Sequence, residues 1–230
     1  ITPVKNSIDT TKETIAAIRD SYPDISYRVY NDFSTEETSD ILEQLARQYQ
    51  FSLINLADMT DKPSPNYDLV LKDAQNRALD EGKHLIIVES DVTIRQDTLK
   101  KMISYANDNE NTGLVAAITV DEAGEINYPY QKFSGDRHDI IHTKRSLSFC
   151  CTLISYDFLS KYSFRKLDQS KDWYDTTISY QSNDLGFNNV VLKQVTVIHH
   201  PHASRPWKQL KYKNPIKYYF NKWIKGRDKI

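Results

Sequence analysis

The sequence is poor in glycine and cysteine, and it has no long apolar run. Its 230 residues include only 6 glycines, which argues against a glycine-rich phosphate loop because such a loop needs several unrestricted backbone positions. No stretch of about 18 apolar residues occurs, and no signal-peptide pattern is visible. We therefore expect neither a membrane-spanning helix nor a cleaved leader.

The 2 cysteines, Cys150 and Cys151, are adjacent in the sequence. A disulfide between neighbouring cysteines is strained, and the pair lacks the spacing of a metal site. We interpret both as small core residues of a protein from a reducing, cytoplasmic compartment. The formal net charge of -1 gives no overall attraction to nucleic acid, so we expect no nucleic-acid partner.

The most informative segment is HLIIVESD at residues 84–91, where a short apolar run ends in two acids. The run is too short for a buried helix and rich in Ile and Val, which predicts a core strand. Glu89 and Asp91 would leave the carboxyl end of that strand on one face, where open α/β sheets bind ligands. Two such acids could be solvated, or they could share a divalent metal that carries phosphates.

Alternating strand-like and helix-like segments predict an α/β protein with a mostly parallel sheet. Ser34 and Glu37 have the spacing of a capping box, so we expect Ser34 to cap the second helix. The predicted strands are 1–4, 26–30, 51–56, 84–88, 113–120 and 189–198, and the predicted helices are 10–21, 34–49, 67–80, 97–107 and 172–185.

Four motifs follow one another in a characteristic order. They are ITPVKN at 1–6, YNDFSTEET at 30–38, ESD at 89–91, and DWYD at 172–175 followed by Gly186 and the pair 199–200. Together they resemble those of family-2-like inverting glycosyltransferases of bacterial type, which have the GT-A fold. The resemblance implies a Rossmann-like, mostly parallel central sheet flanked by helices, with an acceptor-side region. The residues beyond it, which are basic and have aromatics at helical spacing, indicate a basic helical C-terminal tail.

The resemblance also implies the domain organisation. We expect one GT-A domain at 1–204, with a nucleotide-sugar-binding half at 1–120 and an acceptor and catalytic half at 121–204. Residues 205–230 form a basic, aromatic tail, which either lies on the inner face of an anionic membrane or packs back on the domain.

For the nucleotide sugar, the resemblance implies contacts from the first two motifs and from the segment AQNRA at 74–78. Asn31 replaces the first acid of the family pair and Asp32 keeps the second, so either residue could face the base. Gln75 replaces an arginine of the family, which leaves Lys72 or Arg77 to meet phosphate. The nucleotide-sugar candidates are Pro3, Val4, Asn6, Asn31, Asp32, Lys72, Asn76, Glu89 and Ser90.

The segment ESD resembles the family's D-x-D metal motif. This implies that Asp91 binds Mn²⁺ or Mg²⁺, and that Glu89 contributes as a longer carboxylate. The resemblance also implies that one of the two histidines at 199–200 binds the metal or contacts the diphosphate. Because side chains alternate along a strand, only His200 or His199 can reach the site, and we take His200 first.

The last motif contains the candidate general base. Counting back along the sequence from Gly186 aligns Asp175 with the family's catalytic acid. Asp172 is the runner-up if the true alignment is displaced. Trp173 and Tyr174 either stack on the acceptor sugar or belong to the core. An inverting transfer needs one base to deprotonate the acceptor hydroxyl.

The resemblance implies transfer of a sugar from a nucleotide-diphosphate sugar, UDP-linked by family frequency, to a glycan or lipid-linked acceptor. A role in cell-surface polysaccharide synthesis would follow. Two alternatives stay open, namely a nucleotidyltransferase and a non-catalytic protein that binds nucleotide or sugar on the same fold.

Overall fold

The computed structural model of the chain describes residues 1–168, 173–200 and 216–220. Asp172 and most of the basic tail therefore lie outside the described residues. The helices are α1 Ile8–Ser21, α2 Glu36–Tyr49, α3 Tyr67–Asp80, α4 Thr98–Asp108, α5 Tyr156–Lys161 and α6 Tyr174–Asp184. The strands are β1 Thr2–Val4, β2 Arg28–Asn31, β3 Ser52–Asn55, β4 Leu85–Val88, β5 Val92–Thr93, β6 Thr112–Val120, β7 Ile140–His142, β8 Cys151–Ile154 and β9 Asn188–His199.

The strands form two sheets that meet at β1 and β4. The first sheet is parallel in the order β1-β2-β3, and the second has the order β4-β8-β6-β9-β5, with β7 also paired to β9. Ile1 donates its N–H to the Ile86 carbonyl at 2.7 Å and accepts from the Val88 N–H at 3.0 Å. This is the pattern of a parallel pair, so the carboxyl ends of β1, β2 and β4 lie along one edge.

Helices cover both faces of the sheets, because each helix has one apolar side to bury. Side chains of α1, α2 and α4, such as Ile15, Leu42 and Met102, pack into one core cluster. Those of α3, α5 and α6, such as Leu71 and Phe158, pack into another. The α/β class expected from the sequence is thus confirmed.

The central sheet is mixed rather than mostly parallel. β8 is inserted between β4 and β6 and runs antiparallel to both. Residues 147–155 are mostly apolar, which indicates burial. The direction of a strand depends instead on the path of the chain between β6 and β8, which the local pattern does not encode. The insertion buries both free cysteines, as expected.

The start of α2 also differs from the capping box that the sequence suggests. Thr35 is the N-cap, and its hydroxyl accepts from the Thr38 N–H. Ser34 lies one residue too early, and its hydroxyl accepts instead from the Asn6 N–H at 3.2 Å. Within the part of the chain that the structure describes, no helix is long and apolar enough to span a membrane.

Candidate active site

Glu89 and Asp91 lie on a tight turn between β4 and β5. The strand ends at Val88, and the Val92 N–H closes the turn on the Glu89 carbonyl at 3.2 Å. The same-face argument for strand residues therefore does not apply, because the turn and not the pleat brings the acids together. Asp91 is only 8% exposed, Glu89 is partly buried, and Ser90 lies between them at the tip.

The His199 ring lies beside Asp91. Its Nε2 is 3.4 Å from Asp91 Oδ2, and its Nδ1 is 2.7 Å from the Tyr128 carbonyl oxygen. A carbonyl only accepts, so Nδ1 carries a hydrogen and Nε2 faces the carboxylate. Burial alone would lower the pKa of His199, but the hydrogen bond and charge of Asp91, together with the charge of Glu89, raise it.

His200 points elsewhere. Its backbone N–H donates to the Asp91 carbonyl at 2.8 Å, whereas its ring Nε2 lies 3.3 Å from the Thr93 hydroxyl and 3.9 Å from a Glu13 carboxylate oxygen. The motif order left the choice between the two histidines open and put His200 first. The geometry brings His199, not His200, to the carboxylate of Asp91.

Glu89 has a strongly perturbed carboxyl group. Burial, and then the negative charge of Asp91, raise its pKa from 4.5 to about 7, and the charge of Asp175 adds to the effect. The Cys150 thiol donates to Glu89 Oε2 at 3.5 Å. Two carboxylates from the β4–β5 turn and one from α6 thus interact electrostatically, and a cation among them would relieve their repulsion.

Asp175 lies in the first turn of α6. The positive end of a helix stabilises an ionised carboxylate there, and Oδ1 also accepts from the Thr176 N–H at 2.7 Å. The neighbouring Tyr174 is partly buried, with its ring centroid 6.3 Å from that of Tyr67. Trp173 precedes the helix and is also partly buried.

A second group of polar residues lies where β1 and β2 end, and its side chains bond to each other. Asn6 Oδ1 accepts from the Thr35 N–H at 2.8 Å. Asn31 donates to Ser39 and to Asn55, at 3.0 Å in each case. The Asn6 bond ties the loop after β1 to the start of α2, and the Asn31 bonds tie the end of β2 to α2 and to β3. Both asparagines thus hold the carboxyl ends of β1 and β2 in place.

Asp32 is likewise engaged within the protein. Its carboxylate accepts from the Ser64 hydroxyl at 2.7 Å, and from the backbone and side-chain N–H groups of Asn66 at 2.9 Å each. Its own N–H donates to the Val4 carbonyl at 2.9 Å. The Val4 side chain is buried in the core, and Pro3 is partly buried beside it in β1, so little of this backbone is open to a ligand.

Helix α3 carries the remaining candidates. Lys72 pairs with Asp68 at 3.0 Å, and Asn76 is exposed. Gln75, which replaces the arginine of the family, is buried and donates to the carbonyls of Leu159 and Tyr162. Its place is structural, since it holds α5 against α3.

Sequence reasoning missed two groups of this site. The Tyr128 carbonyl orients His199, and Cys150 contacts Glu89. A backbone carbonyl in the irregular segment 125–146 leaves no signal in the sequence. Cys150 was visible, but only as a small buried residue.

The distance between Asp91 and His199 can be compared with the distance expected between two ligands of one metal ion. Two atoms that each lie about 2.1 Å from one ion, at right to tetrahedral angles, are about 3.0–3.4 Å apart, and the observed separation is 3.4 Å. An imidazole whose Nδ1–H is held by a carbonyl is the usual form of a metal-binding histidine. Among the described residues, no group of three or more His, Cys, Asp or Glu is arranged to hold a metal.

Comparison with known proteins gives a family match and a set of similar folds. The model of glycosyl transferase family 2 matches residues 1–179. Among curated proteins, none matches the sequence. A mannosyltransferase from Pyrobaculum calidifontis, solved with GDP-Man and Mn²⁺, has a TM-score of 0.65 at 12% identity. TarS from S. aureus, residues 1–349, has a TM-score of 0.65 at 16% identity, and it has also been solved with UDP.

These similar structures are longer proteins. The first alignment covers 100% of this chain and 64% of the mannosyltransferase, and the second covers 86% of this chain and 58% of the TarS fragment. The chain thus spans less than two thirds of either. At such low sequence identities, the structural similarity shows only that the fold is shared.

Proposed function

Since the chain belongs to glycosyl transferase family 2, we propose that it transfers a sugar from a nucleotide-diphosphate sugar to a glycan or lipid-linked acceptor. We propose that the donor is a UDP-sugar. The transfer would depend on a metal and invert the anomeric centre, and it would serve cell-surface polysaccharide synthesis. The transferase class and the GT-A fold follow from the family itself.

One observation carries this proposal: acids from distant segments gather at the carboxyl edge of the strands. Glu89 and Asp91 follow β4, His199 ends β9, and Asp175 lies in the first turn of α6. The charges of Asp91 and Asp175 both raise the pKa of Glu89, so the three carboxyls share one environment. Such a concentration of negative charge suits a cation with a diphosphate.

A divalent metal would be held by Asp91 and His199, and would offset the charge on the leaving diphosphate. Because Nδ1–H donates to the Tyr128 carbonyl, Nε2 of the neutral ring carries no hydrogen and could bind the metal beside Asp91. Because that ligand is a nitrogen, Mn²⁺ fits better than Mg²⁺, which takes oxygen ligands.

Asp175 is proposed as the general base. As the acceptor oxygen attacks the anomeric carbon, its proton passes to the Asp175 carboxylate, and the bond to the diphosphate breaks with both electrons staying on the diphosphate. Asp175 lies in the first turn of α6, where the positive end of the helix favours the charged form of a carboxyl group. Attack from the face opposite the leaving group inverts the anomeric centre.

The test is a screen of UDP- and GDP-sugars with Mn²⁺, in which release of nucleoside diphosphate and thermal stabilisation are measured together. A glycosyltransferase releases nucleoside diphosphate by slow hydrolysis even without the acceptor. A nucleotidyltransferase would release pyrophosphate instead, and a binding protein would be stabilised without turnover. Either result would overturn the proposal, as would a complete lack of binding.

A further inference from the structure

The described part of the basic tail, residues 216–220, is helical and has two unlike sides. Tyr218 is buried, with only 6% of it exposed. Ile216, Tyr219 and Phe220 are 83%, 55% and 59% exposed. Residues three and four apart lie on the same side of a helix, so these three side chains form one apolar surface, which we call the tail face. Tyr218 falls on the other side of the helix, since each residue advances by about 100°.

The exposure of the tail face bears on a choice that the sequence leaves open, between packing back on the domain and lying on a membrane. A helix that packs back through its apolar stripe buries that stripe. In residues 216–220 the buried side chain is that of Tyr218, and the stripe faces solvent. Single exposed apolar residues are common, but a contiguous apolar patch marks an interaction surface. The tail face therefore favours contact with a partner outside the domain.

The residues on and around the tail face have the chemistry of a membrane interface. Tyr is an amphipathic aromatic residue that concentrates at the level of the lipid headgroups, and the exposed Lys217 lies next to the face. In the sequence, residues 205–230 contain nine Lys or Arg residues and one acid, Asp228. A helix with one apolar, aromatic side in such a basic segment is typical of proteins that lie on anionic membranes. The charge thus favours a lipid surface over another protein.

We propose that the tail face is a membrane-binding surface, which inserts Ile216, Tyr219 and Phe220 at the headgroup level of an anionic bilayer. The cations of residues 205–230 attract the headgroups, and the apolar side chains hold the contact. Binding depends on both, because its strength scales with the buried apolar area and with the attraction to anionic lipid. No residue of the tail face belongs to the candidate active site, and the contact needs no nucleotide sugar. The inference therefore stands apart from the proposed function.

The experiment is cosedimentation of the full chain with lipid vesicles, without nucleotide. Vesicles of phosphatidylcholine are compared with vesicles that also contain phosphatidylglycerol, at about 0.1 M and about 0.5 M NaCl, because salt screens the attraction between charges. The double variant Tyr219→Ser/Phe220→Ser removes most of the tail face. The matched control is Tyr180→Ser/Leu185→Ser, which removes two large side chains that are 43% and 49% exposed on α6 and at its C-cap.

We expect the wild type to bind the vesicles with phosphatidylglycerol, and higher salt or phosphatidylcholine alone to release it. Tyr219→Ser/Phe220→Ser should weaken binding by at least about tenfold, with an unchanged melting temperature because the replaced side chains are exposed. The control variant should bind as the wild type does. Phe220→Trp should bind at least as tightly, since Trp is also enriched at membrane interfaces.

Four results would overturn the inference. They are a wild type that does not bind the anionic vesicles, equal binding to both kinds of vesicle, wild-type affinity in the Tyr219→Ser/Phe220→Ser variant, and a lower melting temperature of that variant, which would place the tail face inside the fold. The proposed function survives each of them, because release of nucleoside diphosphate is measured without lipid.

Discussion

Replacing Glu89 by Gln removes one negative charge from the acid cluster and keeps the shape of the side chain. Burial and the charge of Asp91 raise the Glu89 pKa from 4.5 to about 7. Each tenfold change in proton affinity is worth about 1.4 kcal/mol, so ionised Glu89 destabilises the ligand-free fold by about 3 kcal/mol. Because the folded-state pKa is the raised one, this carboxyl imposes no cost below pH 4.5, and the stability is lost as the pH rises towards 7.

The variant has no carboxyl to titrate, so its advantage depends on pH. In urea denaturation with a chelator present, Glu89→Gln should be more stable than the wild type by less than about 1 kcal/mol at pH 5 and by about 3 kcal/mol at pH 8. Glu43→Gln, on the exposed face of α2, is the control and should change little at either pH. Adding Mn²⁺ and UDP should shrink the advantage, because a bound cation stabilises the ionised carboxyl. An equal difference at both pH values would refute the reasoning.

Three further predictions concern single residues. Asp175→Asn should lower transfer by about 100-fold or more with unchanged nucleotide affinity, and full activity would exclude Asp175 as the base. His199→Ala should weaken Mn²⁺ binding by at least about tenfold in a calorimetric titration, whereas unaltered Mn²⁺ affinity would remove it from the ligand set. Gly113→Ala should lower the free energy of unfolding by about 1–3 kcal/mol, because a Cβ there would lie 2.0 Å from the Ser182 hydroxyl oxygen; an undiminished melting temperature would contradict this.

Elements with a strong local pattern could be predicted closely from the sequence. Helix α3 has the predicted bounds, Tyr67–Asp80, and Gly82 takes the left-handed conformation, with φ 64°, that ends it. Strand β4 also lies where the apolar run predicted it. In each case the information lies within a few neighbouring residues.

The rest depends on contacts between residues far apart in the chain. Such contacts set the direction of β8 and bring His199, rather than His200, to the Asp91 carboxylate. They also set the internal hydrogen bonds of Asn31 and Asp32. Motif order indicated which residues gather at one edge. It did not indicate which of them are already bonded within the protein, because that is decided by loops such as the one held by Asn66.

The distance along the chain between Asp91 and His199 has a consequence for biosynthesis. The parallel sheet β1-β2-β3 is complete once Asn55 has been made, so the donor edge can form early. The imidazole that faces Asp91 arrives more than a hundred residues later, as the last residue of β9. Contacts of such long range form late in folding, and a nascent chain folds as it emerges. On the ribosome, the pair of Asp91 and His199 should therefore form only after synthesis has passed His199.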